Sequence, residues 1–307
     1  MGKIAQLTDY LTRENHFKNY LSIFRIFLCL LIFNKMVDLW GNISILLSND
    51  GIYSHPDNLF DAFGISTSFV LNHSKAIILT IVCTLFLLLF GIGRKWIALL
   101  LYLEIYFLDF YISPILNGGD NLLQFALLYF VFTNAYDKFT ISNQNKHSEL
   151  SNFFSNLAVY SIMIHLCYVY FITGFHKTHA EVWFNGTAVY YILNLERFQG
   201  PFSYLVKDNG FITTLFTYAT VLFELFFCVL IWQKNFRNIL LITGVFLHLG
   251  IFVFMMIFDF EIFFISLYGF FFTNAEWDYF LSKVRKLEYW MRRKFFSPKL
   301  KPIIQSE

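Results

Sequence analysis

Charge is scarce in this chain. Only 14% of its 307 residues are Asp, Glu, Lys or Arg, against about 25% in ordinary soluble domains, so a soluble protein of this size could not keep its surface polar. Cysteine is scarce too. Cys29, Cys83, Cys167 and Cys228 lie inside apolar runs without C-x-x-C spacing, which excludes a disulfide framework or a zinc knuckle and makes them small core hydrophobes. There is no strong excess of either charge: the net is +2 and the one basic block is terminal, so nucleic acid is not an expected partner. No internal repeat is visible. A cleavable signal peptide is not expected either, because some twenty mostly polar residues precede the first apolar run and no small-residue cleavage motif follows it.

What the chain does have is apolar side chain: 57% hydrophobic and 21% aromatic residues, with 41 Phe, and a mean hydropathy of +0.55. The fold class that follows is an all-α integral membrane protein, a polytopic bundle with the lipid bilayer as its surroundings. Apolar stretches near 20–40, 75–93, 96–113, 121–135, 157–175, 211–232, 238–258 and 261–273 predict eight helices crossing a hydrocarbon core of about 30 Å, the fourth and eighth being short. With both termini cytoplasmic, as at a bacterial inner membrane, seventeen Lys and Arg fall on inside segments and four outside, the bias that the positive-inside rule requires. Residues 1–19 then form a cytoplasmic segment, 20–280 the transmembrane domain and 281–307 a basic tail. Two outward-facing loops, 41–74 with a turn at Gly51–Pro56 and 176–210 with Gly200-Pro201, are long enough to hold structure. Residues 143–156 read as a polar connector. In the tail, Lys283, Arg285, Lys286, Arg292, Arg293 and Lys294 alternate with Leu287, Tyr289, Trp290 and Met291, the pattern of an amphipathic helix on anionic headgroups or of a basic stop after the last span.

Ionisable groups at membrane depth cost roughly 2.5–3.5 kcal/mol each on insertion scales and need a partner, water or a function. Residues 170–186 run from an apolar segment into His176, Lys177, His179 and Glu181, four ionisable groups within six residues. A lysine partly withdrawn from water is a competent general base once neutral; an ordinary i, i+4 ion pair between Lys177 and Glu181 is the plainer reading. His176-x-x-His179-x-Glu181 is too weak a pattern to predict a metal. Glu224 and His248 interrupt otherwise apolar helices, with Arg25 a candidate partner for Glu224. Lys35 and Asp38 are spaced to pair at i, i+3, Asp109 is near enough to its helix end to be wet, and Asp259 and Glu261 flank an outer turn. Asp120 or Asn121 reads as the N-cap of the fourth span, on the same outer side as Lys177.

Taken in order, these residues resemble a known family. Tyr170-Phe171-Ile172-Thr173-Gly174-Phe175-His176-Lys177, then an acidic residue, Trp183 and Gly186, resembles the core of the vitamin K-dependent gamma-carboxylase and its bacterial relatives, the horizontally transferred transmembrane (HTTM) family. Asn117-Gly118-Gly119-Asp120-Asn121, His248, Ala275-Glu276-Trp277, Arg25 and the Gly51–Pro56 turn extend the likeness over roughly residues 18 to 280. The resemblance implies that Lys177 is the base that deprotonates a reduced quinone, vitamin K hydroquinone or menaquinol, in an oxygen-dependent epoxidation that drives carboxylation. His176 and Asp120 would stand beside it as catalytic groups, and Asn121, His179, Glu181, Trp183, Glu224, His248 and Arg25 as binding residues. His176 replaces a lysine of the family and Asp120 a histidine. No lumenal β-rich region follows the last span, so carboxylation of a propeptide-bearing client is not expected intact. Some relatives resemble instead the membrane component that matures secreted antimicrobial peptides with a soluble partner protein, which is the alternative function. A transporter is the third.

Overall fold

The computed structural model describes residues 2–48, 64–141 and 146–296. The Gly51–Pro56 turn lies outside them. Among the described residues the chain is helical throughout, with no strand. It opens with α1 (Lys3–Arg13), α2 (Lys18–Gly41), the single turn α3 (Ile43–Leu46), α4 (Thr67–Asn72), α5 (Ser74–Leu89), α6 (Arg94–Tyr111) and α7 (Gly118–Phe130). After α8 (Glu149–Thr178) come three short helices, α9 (Glu181–Phe184), α10 (Ala188–Asn194) and α11 (Tyr204–Lys207), then α12 (Gly210–Leu230), α13 (Lys234–Met255), α14 (Phe258–Leu267) and α15 (Asn274–Met291).

Helices occupy all eight apolar stretches. Four of them, α2, α8, α12 and α13, are long and apolar enough to cross a membrane. The 13 residues of α7 rise only about 20 Å and the 10 of α14 about 15 Å, so these two do not meet that length by themselves. The outer faces are apolar as well. On α13, Ile239, Ile242 and Phe246 are 63%, 58% and 71% exposed, an apolar surface that only lipid or another apolar body can cover. The opposite faces make one core, in which Phe24, Leu28 and Ile32 of α2 meet Ile81 and Leu88 of α5, Ile105 of α6 and Phe130 of α7.

Local chemistry sets the helix starts. Asn117 opens α7, its Oδ1 accepting from the Gly119 and Asp120 amides at 2.7 and 3.4 Å while Asp120 returns a carboxylate to the Asn117 amide at 2.8 Å. The N-cap is therefore Asn117, and Asp120 is the third residue of a capping box rather than the cap itself. Asn209 caps α12 and Thr273 caps α15. Met256, in the left-handed region at φ 57°, ends α13 and turns the chain directly into α14.

Interhelical contacts orient the bundle. The starts of α2, α8, α13 and α15 and the end of α7 share one end, the base; the end of α8 and the starts of α7, α12 and α14 share the other, the mouth. Residues 149–156 are not a loose connector. They are the first two turns of α8, and their buried amides hold the N-terminal segment: Asn156 Nδ2 donates to Leu11 O and Glu14 O at 2.8 and 2.7 Å, and Asn152 Nδ2 to Thr12 O at 3.2 Å. Asn274 Nδ2 donates to Asn15 O at 3.1 Å and Asn15 Nδ2 to Asn134 O at 3.0 Å, which ties both chain ends to the stretch after α7. In α15 the first turn docks, with Trp277 stacked on Tyr20 at 4.7 Å, while Lys283 through Lys294 is exposed.

Candidate functional site

Tyr170, Gly174 and Lys177 stand at i, i+4 and i+7 on α8 and so face one way. They face α12. A Cβ on Gly174 would lie 3.0 Å from Glu224 Cβ and 3.1 Å from the Leu225 amide nitrogen, so glycine is what lets the two helices approach closely here. One helical turn further, Lys177 Nζ makes an ion pair with Glu224 Oε1 and sits 4.8 Å from the centre of the Trp183 ring. Trp183 comes from α9, the one-turn helix just after α8. The lysine thus lies between a carboxylate and the negative face of an indole, both of which favour a cation.

Beneath it is a second polar cluster. Tyr170 Oη lies 2.5 Å from His248 Nε2 and 2.6 Å from Tyr268 Oη, and His248 Nδ1 bonds Glu261 Oε2. All four side chains are buried, at 1–3% exposure. The ring of Tyr170 packs on Phe223 and Phe227, which flank Glu224 on α12, at 5.5 and 4.7 Å between centres. The two clusters share α8: Tyr170 lies one turn before Gly174, against which Glu224 packs. Each carboxylate keeps one buried oxygen without a hydrogen-bond partner among the described residues, Glu224 Oε2 and Glu261 Oε1. Thr173 of α8 also stands beside the Glu224 carboxylate.

A third cluster occupies the mouth on the side of α2. Lys35 Nζ bonds Asp109 Oδ1 at 2.7 Å and Asp120 Oδ1 at 2.9 Å, and Gln124 Nε2 donates to Asp109 Oδ2 at 2.8 Å. Beside it, Lys35, Asp120, Asp259 and Phe260 line a cavity of about 250 Å³.

Several sequence expectations change. Lys35 pairs with Asp109 and Asp120 rather than with Asp38, and Asp109 is 2% exposed rather than wet. Arg25 does not reach Glu224. Its guanidinium donates to Ala135 O, Phe139 O and Lys138 O at 2.5, 2.6 and 3.3 Å, closing the irregular stretch after α7 near the base, because that backbone has no helix to satisfy its carbonyls. Lys177 pairs with Glu224, not Glu181, which is exposed with Asn185 Nδ2 3.5 Å from its carboxylate. His176 and His179 are exposed at the end of α8, His179 Nδ1 lying 3.0 Å from Phe175 O. Asn121 is exposed on α7. His176 and Asp120, which the resemblance implies beside Lys177, are not brought to it: Lys177 meets Glu224 and Trp183, while Asp120 belongs to Lys35. Glu261, which reads from sequence as flanking an outer turn, is buried against His248, and Tyr268 reaches the cluster over Gly244, where a Cβ would lie 2.4 Å from its hydroxyl. The i, i+7 spacing of Glu261 and Tyr268 was the available signal. Compared with family models, curated proteins and solved structures, the chain matches none.

Proposed function

We propose that this chain is a polytopic membrane protein of about eight crossings, with both termini cytoplasmic at a bacterial inner membrane, and that its Lys177–Glu224 pair accepts a proton from a lipid-soluble quinol. The observation that carries this reading is the part-buried ion pair at the mouth of an apolar bundle, with Glu224 Oε2 outside it. In this arrangement Lys177 already holds a proton, and the vacant basic atom is Glu224 Oε2. A substrate hydroxyl gives its proton to that oxygen, leaving both residues protonated, and Lys177 then stabilises the negative charge left on the substrate. Trp183 holds the ammonium in place. The exposed apolar flanks of α8 and α12, such as Phe171 and Leu222, suit an isoprenoid tail arriving from the bilayer.

A bound quinol would supply the electrons for an oxygen-dependent epoxidation, as the resemblance to the gamma-carboxylase family implies. Wild type and Lys177→Ala in nanodiscs, given reduced menaquinone or vitamin K and oxygen, are compared by mass spectrometry of quinone epoxide. Epoxide from the wild type and none from a folded variant is the expected result. Absence of epoxide from both, with no quinone retained through purification, would overturn this reading in favour of a maturation factor for a secreted peptide, in which the exposed basic helix α15 docks a soluble partner protein.

A further inference from the structure

The face by which α15 docks does not end where the contact ends. Trp277 stacks on Tyr20 with ring centres 4.7 Å apart and donates Nε1–H to Gly269 O at 3.0 Å; Phe280 meets it edge-on at 5.7 Å. From there Trp277, Phe280, Val284, Leu287 and Met291 follow one another at alternating steps of three and four residues, so they form one stripe along the helix. Beyond Trp277 the stripe is uncovered: Phe280, Val284, Leu287 and Met291 are 41–54% exposed. Apolar surface of this extent in water is unfavourable unless something apolar covers it.

The charges beside the stripe select the cover. Lys283, Arg285, Lys286, Arg292, Arg293 and Lys294 are set against one acid, Glu288, which already pairs with Arg292 Nη2 at 2.7 Å. At about 100° per residue, Lys283 borders the stripe on one side and Arg285 and Arg292 on the other. Basic side chains along both edges of an apolar stripe bury their stems with it and keep their charged heads at phosphate level. Tyr279 and Trp290, each with a lysine ammonium over its ring at 4.5 and 4.7 Å, are the aromatic types enriched at that level. A second copy is a poorer cover, because the stripe runs for two heptads where a coiled coil needs about three to four, and six cations would meet six more. We propose that residues 280–294 lie on the anionic lipid headgroups of the bilayer that holds the bundle, with Phe280, Val284, Leu287 and Met291 immersed. This anchor is independent of the proton chemistry assigned to Lys177. Because the same helix is tied to Asn15 and Asn19 through Asn274, the lipid composition of one leaflet bears directly on how the base is held.

The depth of residue 287 tests this. A nitroxide on Leu287→Cys, in a full chain whose four native cysteines are replaced by Ala, is read by its collisions with oxygen, which concentrates in lipid, and with a nickel chelate, which stays in water. The nanodiscs hold one chain each, which excludes a second copy, and are made of phosphatidylcholine alone or with a third of it replaced by phosphatidylglycerol. The oxygen-to-chelate ratio is expected to rise at least about threefold when phosphatidylglycerol is present, and to fall back to the phosphatidylcholine value when Lys283→Glu, Lys286→Glu and Arg293→Glu are combined. Amide exchange over 280–291 in the unsubstituted chain, expected to be slower in the phosphatidylglycerol discs, reads the same contact without any cysteine change. Equal ratios, or equal exchange, in the two lipids would overturn the headgroup anchor and leave the stripe to a soluble partner. So would a ratio that survives the triple charge reversal.

Discussion

Two lysines stand near the mouth of the bundle, and they are held very differently. Lys35 is shared by two carboxylates, one of which is also fixed by Gln124. Lys177 has one carboxylate, an aromatic face and a short helix above it. The first arrangement locks α2, α6 and α7 together, with the Lys35 ammonium bonded to both Asp109 and Asp120. The second leaves a buried oxygen open on Glu224. The number of partners separates the two: both pairs carry the desolvation of buried charge, but Lys35 is held by two carboxylates and Lys177 by one.

The largest effect should come from breaking the clamp. Lys35→Ala strands Asp109, whose side chain is 1% exposed, and should cost about 3–5 kcal/mol of stability, read as a lower unfolding temperature in detergent; adding Asp109→Asn should restore part of it. Lys177→Ala should cost less, about 1–3 kcal/mol, because Glu224 can take up a proton at its open oxygen, and yet it should abolish turnover. Equal losses of stability for the two lysines would erase the distinction. Gly174→Ala sharpens it from the backbone side. Its new methyl must push against Glu224 Cβ and the Leu225 amide, and after the gain in helix propensity the net loss should be about 1 kcal/mol, accompanied by a weakened Lys177–Glu224 pair visible in the Glu224 infrared band. The smallest effect belongs to the base. There, partial burial pushes the Glu276 carboxyl up, but the Thr273 amide and hydroxyl and the Arg237 guanidinium together hold it below the usual carboxylate range. Its contribution is therefore fully present above the ordinary carboxylate pKa of about 4.3 and is lost as pH falls through the lower folded value. With the Glu276 side chain 40% exposed, solvent screening limits this to a few tenths of a kcal/mol, which Glu276→Gln should abolish in an acid titration of the unfolding temperature.

Much of the helical framework was legible in the sequence, because length and apolarity are local properties of the chain. The apolar stretches around 20–40 and 157–175 became α2 and α8 with changes only at their ends. The partners of charged groups were not. Lys35 finds Asp109 at a separation of 74 residues and Lys177 finds Glu224 at 47, and no local pattern encodes which distant carboxylate a helix packing will deliver. Asp38 and Glu181 were the plausible partners only because they were near in sequence. Glu224 and His248 stood out correctly as polar interruptions of apolar helices, whereas Glu261 was hidden by its place beside Asp259 at a helix start, where an exposed acid is ordinary.

The knot of amides at the base bears on how the molecule is made. Asn15 is bonded by Asn134 and by Asn274, the latter 259 residues away, and Asn156 holds the carbonyls of Leu11 and Glu14. During synthesis the N-terminal segment emerges first, but these partners reach it only after α8 and then α15 have followed. The bundle is therefore sewn shut from its own beginning by its last segment. Until residue 274 has followed, the Asn15 carbonyl and the Asn19 backbone and side-chain amides lack the partners that Asn274 gives them.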